Sequence, residues 1–228
     1  MGIDINKAIE EQELKNVINI FYKTYKNDKN SRYFSYDHCR KCFIENKNDP
    51  SKYDLIVLNL YAYLASWGML RNSFLMQKDY LFNKPVVEIL CKSKYSSLLN
   101  NSKDVDLIIE LGNEIRDYYR DKPYWDEKGT KSAIKNATDT LITKILLGTF
   151  GCVVAYDQYV TKALRSVGIC GMFNKKSILQ LNQFIEDNKP LINIYTDELG
   201  GLYTPMKIID MYFFEKGLKL VQERTKSK

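Results

Sequence analysis

Apolar residues recur along this chain at the three-and-four spacing of helices, and the longest nearly uninterrupted apolar run spans Asp54 to Tyr80. The rest of the chain is organised around it. Leu55, Leu58, Ala62, Ala65 and Met69 repeat at helical spacing while Ile56, Leu60, Tyr63, Leu64, Trp67 and Leu70 fill the flanks, which predicts one helix buried on most sides. The small side chains of Ala62, Ala65, Ser66 and Gly68 predict a close helix crossing there. Asn59, Ser66, Arg71 and Asn72 interrupt the run, which falls short of the roughly 18 consecutive apolar residues of a membrane span, so no membrane partner is expected.

The same periodicity predicts an amphipathic helix from Asp4 to Tyr25, with Ile9, Leu14, Val17, Ile18, Phe21 and Tyr25 on one face and Glu10, Glu11 and Glu13 near its start. Asn27 to Arg32 reads as a loop, and a second helix runs from Ser35 to Asn46. Pro85 predicts a helix start, continuing to Leu99. Ser102 is the expected cap of a helix striped with Ile108, Leu111, Ile115, Tyr118 and Tyr119, which Pro123 ends, and DKPYWDEKG then reads as a loop. Ser132 is the expected cap of a helix through Ile134, Ala137, Leu141 and Ile145 that stops at Gly148. Further helices are predicted from Val153 to Val167, from Asn174 to a stop at Pro190, and from Thr204-Pro205 onward. Val153 to Tyr156 and Ile192 to Tyr195 are the β-like runs, too short to seed a sheet. The expected fold is all-α, one compact domain of about nine helices. Residues 121–130 form the boundary if there are two lobes.

Composition adds compartment and charge. The five cysteines are odd in number, sit mostly in apolar surroundings and follow an N-terminus without a hydrophobic signal region, which points to a reducing cytoplasm. A formal charge of +6 suits a polyanionic partner, but 34 basic residues against 28 acidic ones make a mixed surface rather than a single-sign field.

Several chemistries lack their parts. Walker and Rossmann glycine loops, the G-x-S-x-G elbow and H-E-x-x-H are absent. His38, Cys39 and Cys42 form HCRKC, half of a zinc site without a second paired motif, so core packing is the reading for the cysteines and neither metal nor cofactor is expected. Polar residues beside the apolar helices remain: Arg71, Gln77, Lys78 and Asp79 after the central run, and Lys144, Tyr156, Asp157 and Tyr159 around the GTFG turn. The bland reading makes Arg71, Asp79 and Asp157 ion-paired or capping residues, since a buried charge must be compensated.

The blocks YLASWGMLRNSFLMQKDY and TKILLGTFGCVVAYDQY resemble an uncharacterised family of bacterial hypothetical proteins, over most of the chain from Tyr33 onward. That resemblance implies no activity, and Asn72 and Val154 stand where the family carries Gly and Pro. AYDQYVTKALRSVG is also similar to the helix-hairpin-helix DNA glycosylases, in which a Gly-rich hairpin precedes an apolar-Asp motif that opens a helix. This implies Asp157 as catalytic carboxylate, Lys144 as a desolvated amine nucleophile, and Tyr156, Trp67 or Tyr124 as the aromatic wall for an extruded base. The Leu-Pro-Gly-Val-Gly hairpin is absent, and the Lys-to-Asp spacing is shorter than in that family. The leading expectation is a helical module that binds nucleic acid or protein without catalysis. Its expected binding residues are Arg71, Lys78, Asp79, Tyr156, Lys162 and Arg165, with Lys175, Lys176, Lys216, Lys219 and Arg224 extending the basic surface. The alternative is a glycosylase-like enzyme acting on DNA through Asp157 and Lys144.

Overall fold

A computed structural model describes residues 9–71, 73–126 and 128–226. The predicted helix start at Asp4 and residue Asn72 lie outside the described residues, as do the side chains of Tyr25 and Arg224. The described residues form ten α-helices, four short 3-10 segments and one small hairpin, so the fold is all-α around a single apolar core. None of the helices among the described residues is long and apolar enough to cross a membrane.

The first helix, α1 (Glu11–Asn27), buries Leu14, Val17, Ile18 and Phe21. After it come α2 (Phe34–Asn46) and α3 (Tyr53–Ser66), which pack on each other. Two expectations about the central run fail here. The helix ends at Ser66 instead of continuing toward Tyr80, because Gly68 takes φ +76 and closes a Schellman cap: its N–H reaches the Ala65 carbonyl at 3.0 Å and the Met69 N–H reaches Leu64 at 2.9 Å. The helix is also one-sided. Ile56, Val57, Leu60, Tyr63 and Leu64 are buried, whereas Leu55, Leu58, Ala62 and Ala65 are exposed, so the expected close crossing at the small residues does not form.

Two 3-10 segments, Phe74–Gln77 and Tyr80–Asn83, lead into α4 (Lys84–Leu90), which is shorter than expected and gives way to a further 3-10 segment, Ser93–Leu98. In α5 (Val105–Tyr119) the capping oxygen belongs to Asp104, which accepts the Leu107 N–H at 3.1 Å; Ser102 instead donates to Asn182 Oδ1 at 2.7 Å. The predicted loop contains an antiparallel hairpin of β1 (Pro123–Trp125) and β2 (Lys131–Ala133), with Tyr124 opposite Ser132. Asp126 Oδ1 organises its turn by accepting the N–H groups of Lys128 at 2.9 Å and Thr130 at 2.8 Å. The side chain of Gln77 extends the ladder, exchanging hydrogen bonds with the Trp125 backbone at 2.5 and 2.8 Å.

Thr138, not Ser132, caps α6 (Asp139–Thr149), and Gly148 lies inside that helix, with the left-handed position falling at Gly151, φ +62. The interior glycine is where Tyr63 of α3 lies on α6: a Cβ at 148 would come 2.5 Å from its ring. Then follow α7 (Gln158–Ser166), α8 (Lys175–Asp187), α9 (Lys189–Leu199) and α10 (Pro205–Lys226). Asp157 caps α7, so that helix begins later than Val153. Pro190 sits in the first turn of α9 rather than ending the structure before it, and Ile192 to Tyr195 is helical. The long α10 runs against α7 and also touches α1, α8 and α9.

Candidate functional site

The site grows out of the turn between α6 and α7. Residues 150–156 are buried although they form no regular element, so their backbone groups require partners from inside the protein. Side chains of the flanking helices supply them. Thr143 Oγ1 accepts the Tyr156 N–H at 2.9 Å, Thr140 donates to the Tyr156 carbonyl at 2.8 Å, and Asp210 Oδ1 of α10 accepts the Ala155 N–H at 2.8 Å. The turn delivers Asp157 to the start of α7, where its Oδ1 accepts the N–H groups of Tyr159 and Val160, each at 3.0 Å.

Its other oxygen faces Lys144. Lys144 Nζ lies 3.4 Å from Asp157 Oδ2, with side-chain exposures of 6% and 14%. A second pair stands beside it on α10: Lys207 Nζ lies 3.0 Å from Asp210 Oδ2, at 4% and 8%. The Trp67 ring lies near both ammonium groups, its centroid 5.2 Å from Lys144 Nζ and 5.9 Å from Lys207 Nζ. Together with Phe21, Tyr63, Met211 and Phe214 these residues line a cavity of about 10 Å³, the room of about one water molecule. Of the lining residues only Trp67, Asp157 and Phe214 are half-exposed, which locates the opening among them. The indole N–H of Trp67 is buried and has no hydrogen-bond partner among the described residues.

Burial pushes the Lys144 ammonium below the ordinary lysine range; Asp157 and Asp210 oppose that drift, and Lys207 adds to it. Tyr63, buried beside both carboxylates, is held well above the usual phenol value by desolvation first and then by Asp210. The cluster therefore combines a desolvated amine, a carboxylate within reach of it and an aromatic wall.

The remaining candidates do not converge on this cavity. Arg71 is exposed and lines a separate groove of about 550 Å³ with Tyr124, Phe74 and Thr138. Lys78 donates to the Pro123 carbonyl at 2.6 Å and lies over the Phe82 ring, which fastens the hairpin. Asp79 caps the short Tyr80–Asn83 segment through the Leu81 N–H at 2.8 Å. Tyr156 points away from the cavity, its hydroxyl on Ser177 Oγ at 2.8 Å and its ring beside Phe173. Lys162 and Arg165 share the α7–α10 groove, where Lys162 donates to the Leu220 carbonyl at 3.0 Å. Of the other basic residues, Lys175 pairs with Asp106 and Lys216 with Glu13. Cys39 and Cys42 are core residues with thiol values raised by burial, and no group of three His, Cys, Asp or Glu residues placed to hold a metal occurs among the described residues.

Lys207 and Asp210 were not singled out from the sequence. Their spacing is that of an ordinary surface pair, and the available signal was their alignment with Met211 and Phe214 on one face of α10. Arg40 was equally silent. Its fully buried guanidinium donates to the carbonyls of Thr149 at 2.5 Å and Leu202 at 2.8 Å and to Asn100 Oδ1, tying α2 to the end of α6 and the approach to α10. Compared with protein-family models, curated proteins and solved structures, the chain matches none.

Proposed function

We propose that the Lys144–Asp157 pair is the reactive centre of a DNA-directed enzyme of the amine-nucleophile type, in which Lys144 attacks the C1′ carbon of a deoxyribose. The observation that carries this reading is the pair itself: a desolvated amine 3.4 Å from a carboxylate, walled by Trp67. In the step, a C1′–N bond forms to Lys144 as the bond from C1′ to the base breaks. The base leaves with the bonding electrons and takes up a proton, and Asp157 takes the proton that the attacking amine loses. Ring opening gives an imine, from which loss of a C2′ proton expels the 3′ phosphate; water then hydrolyses the imine and frees Lys144.

A nucleotide does not fit a cavity of about 10 Å³, so the substrate enters by displacing Trp67 or Phe214 at the opening. Trp67 can swing outward without its indole N–H giving up a hydrogen bond. The overall charge of +6, with Lys162 and Arg165 on the neighbouring α7 face, supports a polyanionic substrate, and five free thiols support a cytoplasmic location.

Incision of a duplex carrying one abasic site tests the proposal. Wild-type protein is expected to cut at the site and Lys144→Met to lose cutting by at least about 100-fold, the scale of removing a catalytic proton-transfer or nucleophilic group, while binding the same duplex as before. Binding by both proteins without incision by either would instead establish a non-catalytic nucleic-acid module.

A further inference from the structure

Two buried lysines share one cavity, and their surroundings differ. The Lys207 ammonium is 3.0 Å from Asp210 and lies over three aromatic rings, 4.7 Å from Tyr36, 5.6 Å from Phe21 and 5.9 Å from Trp67. That is a cage for a cation. Lys144 faces the Trp67 ring and a carboxylate at 3.4 Å whose other oxygen already accepts two backbone N–H groups. Resting on the reading above, we propose that the two lysines divide the work: Lys207, held by Asp210 inside the aromatic cage, screens Lys144 from Asp210 and so keeps the Lys144 amine nucleophilic. Lys207 is thus a positioning residue. It acts on the reaction through Lys144 and forms no bond to substrate.

The charged and titratable groups around Lys144 fix the expected signs. Asp157 faces it from the cap of α7, Lys207 and Asp210 from α10, and Tyr63 from α3, while Asp37, Tyr36 and Arg40 of α2 act on the Lys207 side. The α1 helix contributes the apolar ring of Phe21 to the cavity. Removing Lys207 leaves Asp210 free to hold Lys144 as an ammonium, so the amine should titrate at higher pH. Removing the charge of Asp210 leaves Lys207 uncompensated, so the amine should titrate at lower pH. The depression of Lys144 by burial and by Lys207 agrees with these signs.

Titration of the lysine 13Cε resonances in isotope-labelled protein, with Lys144 assigned from the spectrum of Lys144→Arg, reads this without any substrate. Lys207→Met is expected to raise the Lys144 midpoint by about one pH unit or more and Asp210→Asn to lower it, within the range of close charge effects. An unchanged or lowered midpoint in Lys207→Met overturns the proposal. If Lys207→Met does not fold, Asp210→Asn decides alone: the amide still accepts the Ala155 N–H, and an unchanged or raised midpoint contradicts the division of labour. Failure of the incision assay would reject the reaction proposed for Lys144 and leave this titration result standing.

Discussion

Asp157 divides its two oxygens between two partners, a helix end and a lysine. Replacement by Asn preserves the oxygen that accepts the Tyr159 and Val160 N–H groups, because Asn caps about as well as Asp. It removes the charge opposite Lys144. A wholly stranded buried charge costs roughly 3–5 kcal/mol, but burial already drives Lys144 toward its neutral form, which limits the loss. Asp157→Asn should therefore cost about 1.5–3 kcal/mol, the usual worth of a hydrogen bond to a charged group. Asp157→Ala also gives up the cap, a further loss of about 1 kcal/mol. Chemical denaturation of the three proteins would measure this order, and equal losses in both variants would mean that the cap contributes nothing separate from the pair.

At the scale of elements, two interior glycines set how the helices that carry the site approach one another. Gly217 of α10 lies on α7 so closely that a Cβ would strike the Tyr159 carbonyl, whereas a Cβ at Gly148 of α6 would meet the ring of Tyr63. A ring can shift and a helix backbone cannot. Gly148→Ala should cost about 1–3 kcal/mol and Gly217→Ala more than that, the general cost of overpacking with and without room to relax. Denaturation midpoints for the two variants check the ranking, and a milder effect at Gly217 would show that α7 and α10 can slide. Such features explain why some elements were readable in the sequence and others were not. Caps with a capping oxygen at the right place, Asn174 for α8 and Thr204-Pro205 for α10, mark their helices plainly. The buried side of α3 was not readable, because both of its faces are apolar and periodicity alone cannot choose between Leu55–Leu58 and Ile56–Leu60. Gly68 carries the information that the run stops, but a glycine among Ala62, Ala65 and Ser66 fits a packing face equally well. The hairpin at 123–133 depends on side chains of Asp126 and Gln77 acting as backbone partners, which strand propensity does not register. At the site, Lys144 and Asp157 could be named together because the motif around AYD suggested them. Lys207 and Asp210 could not, since an ion pair three residues apart looks the same in sequence whether α10 turns it outward or into the core.

For the molecule as a whole, three buried charges, Lys144, Lys207 and Asp210, and the half-exposed Asp157 gather beside Trp67, against a surface where most of the described ion pairs are exposed. Exposed pairs contribute little to stability, and burying ions carries a desolvation penalty that a well-packed apolar core would avoid. Two lysines and two aspartates retained in one cavity support the proposal that Lys144 is a nucleophile. The most direct measurement is trapping with borohydride: protein is mixed with abasic-site DNA, hydride reduces the carbon–nitrogen double bond of any imine, and the covalent adduct is mapped by mass spectrometry. A stable protein–DNA adduct is expected, its modified peptide carrying the sugar on Lys144 and lost in Lys144→Met. Absence of an adduct from wild-type protein that binds the same DNA, or an adduct located on another lysine, would contradict it.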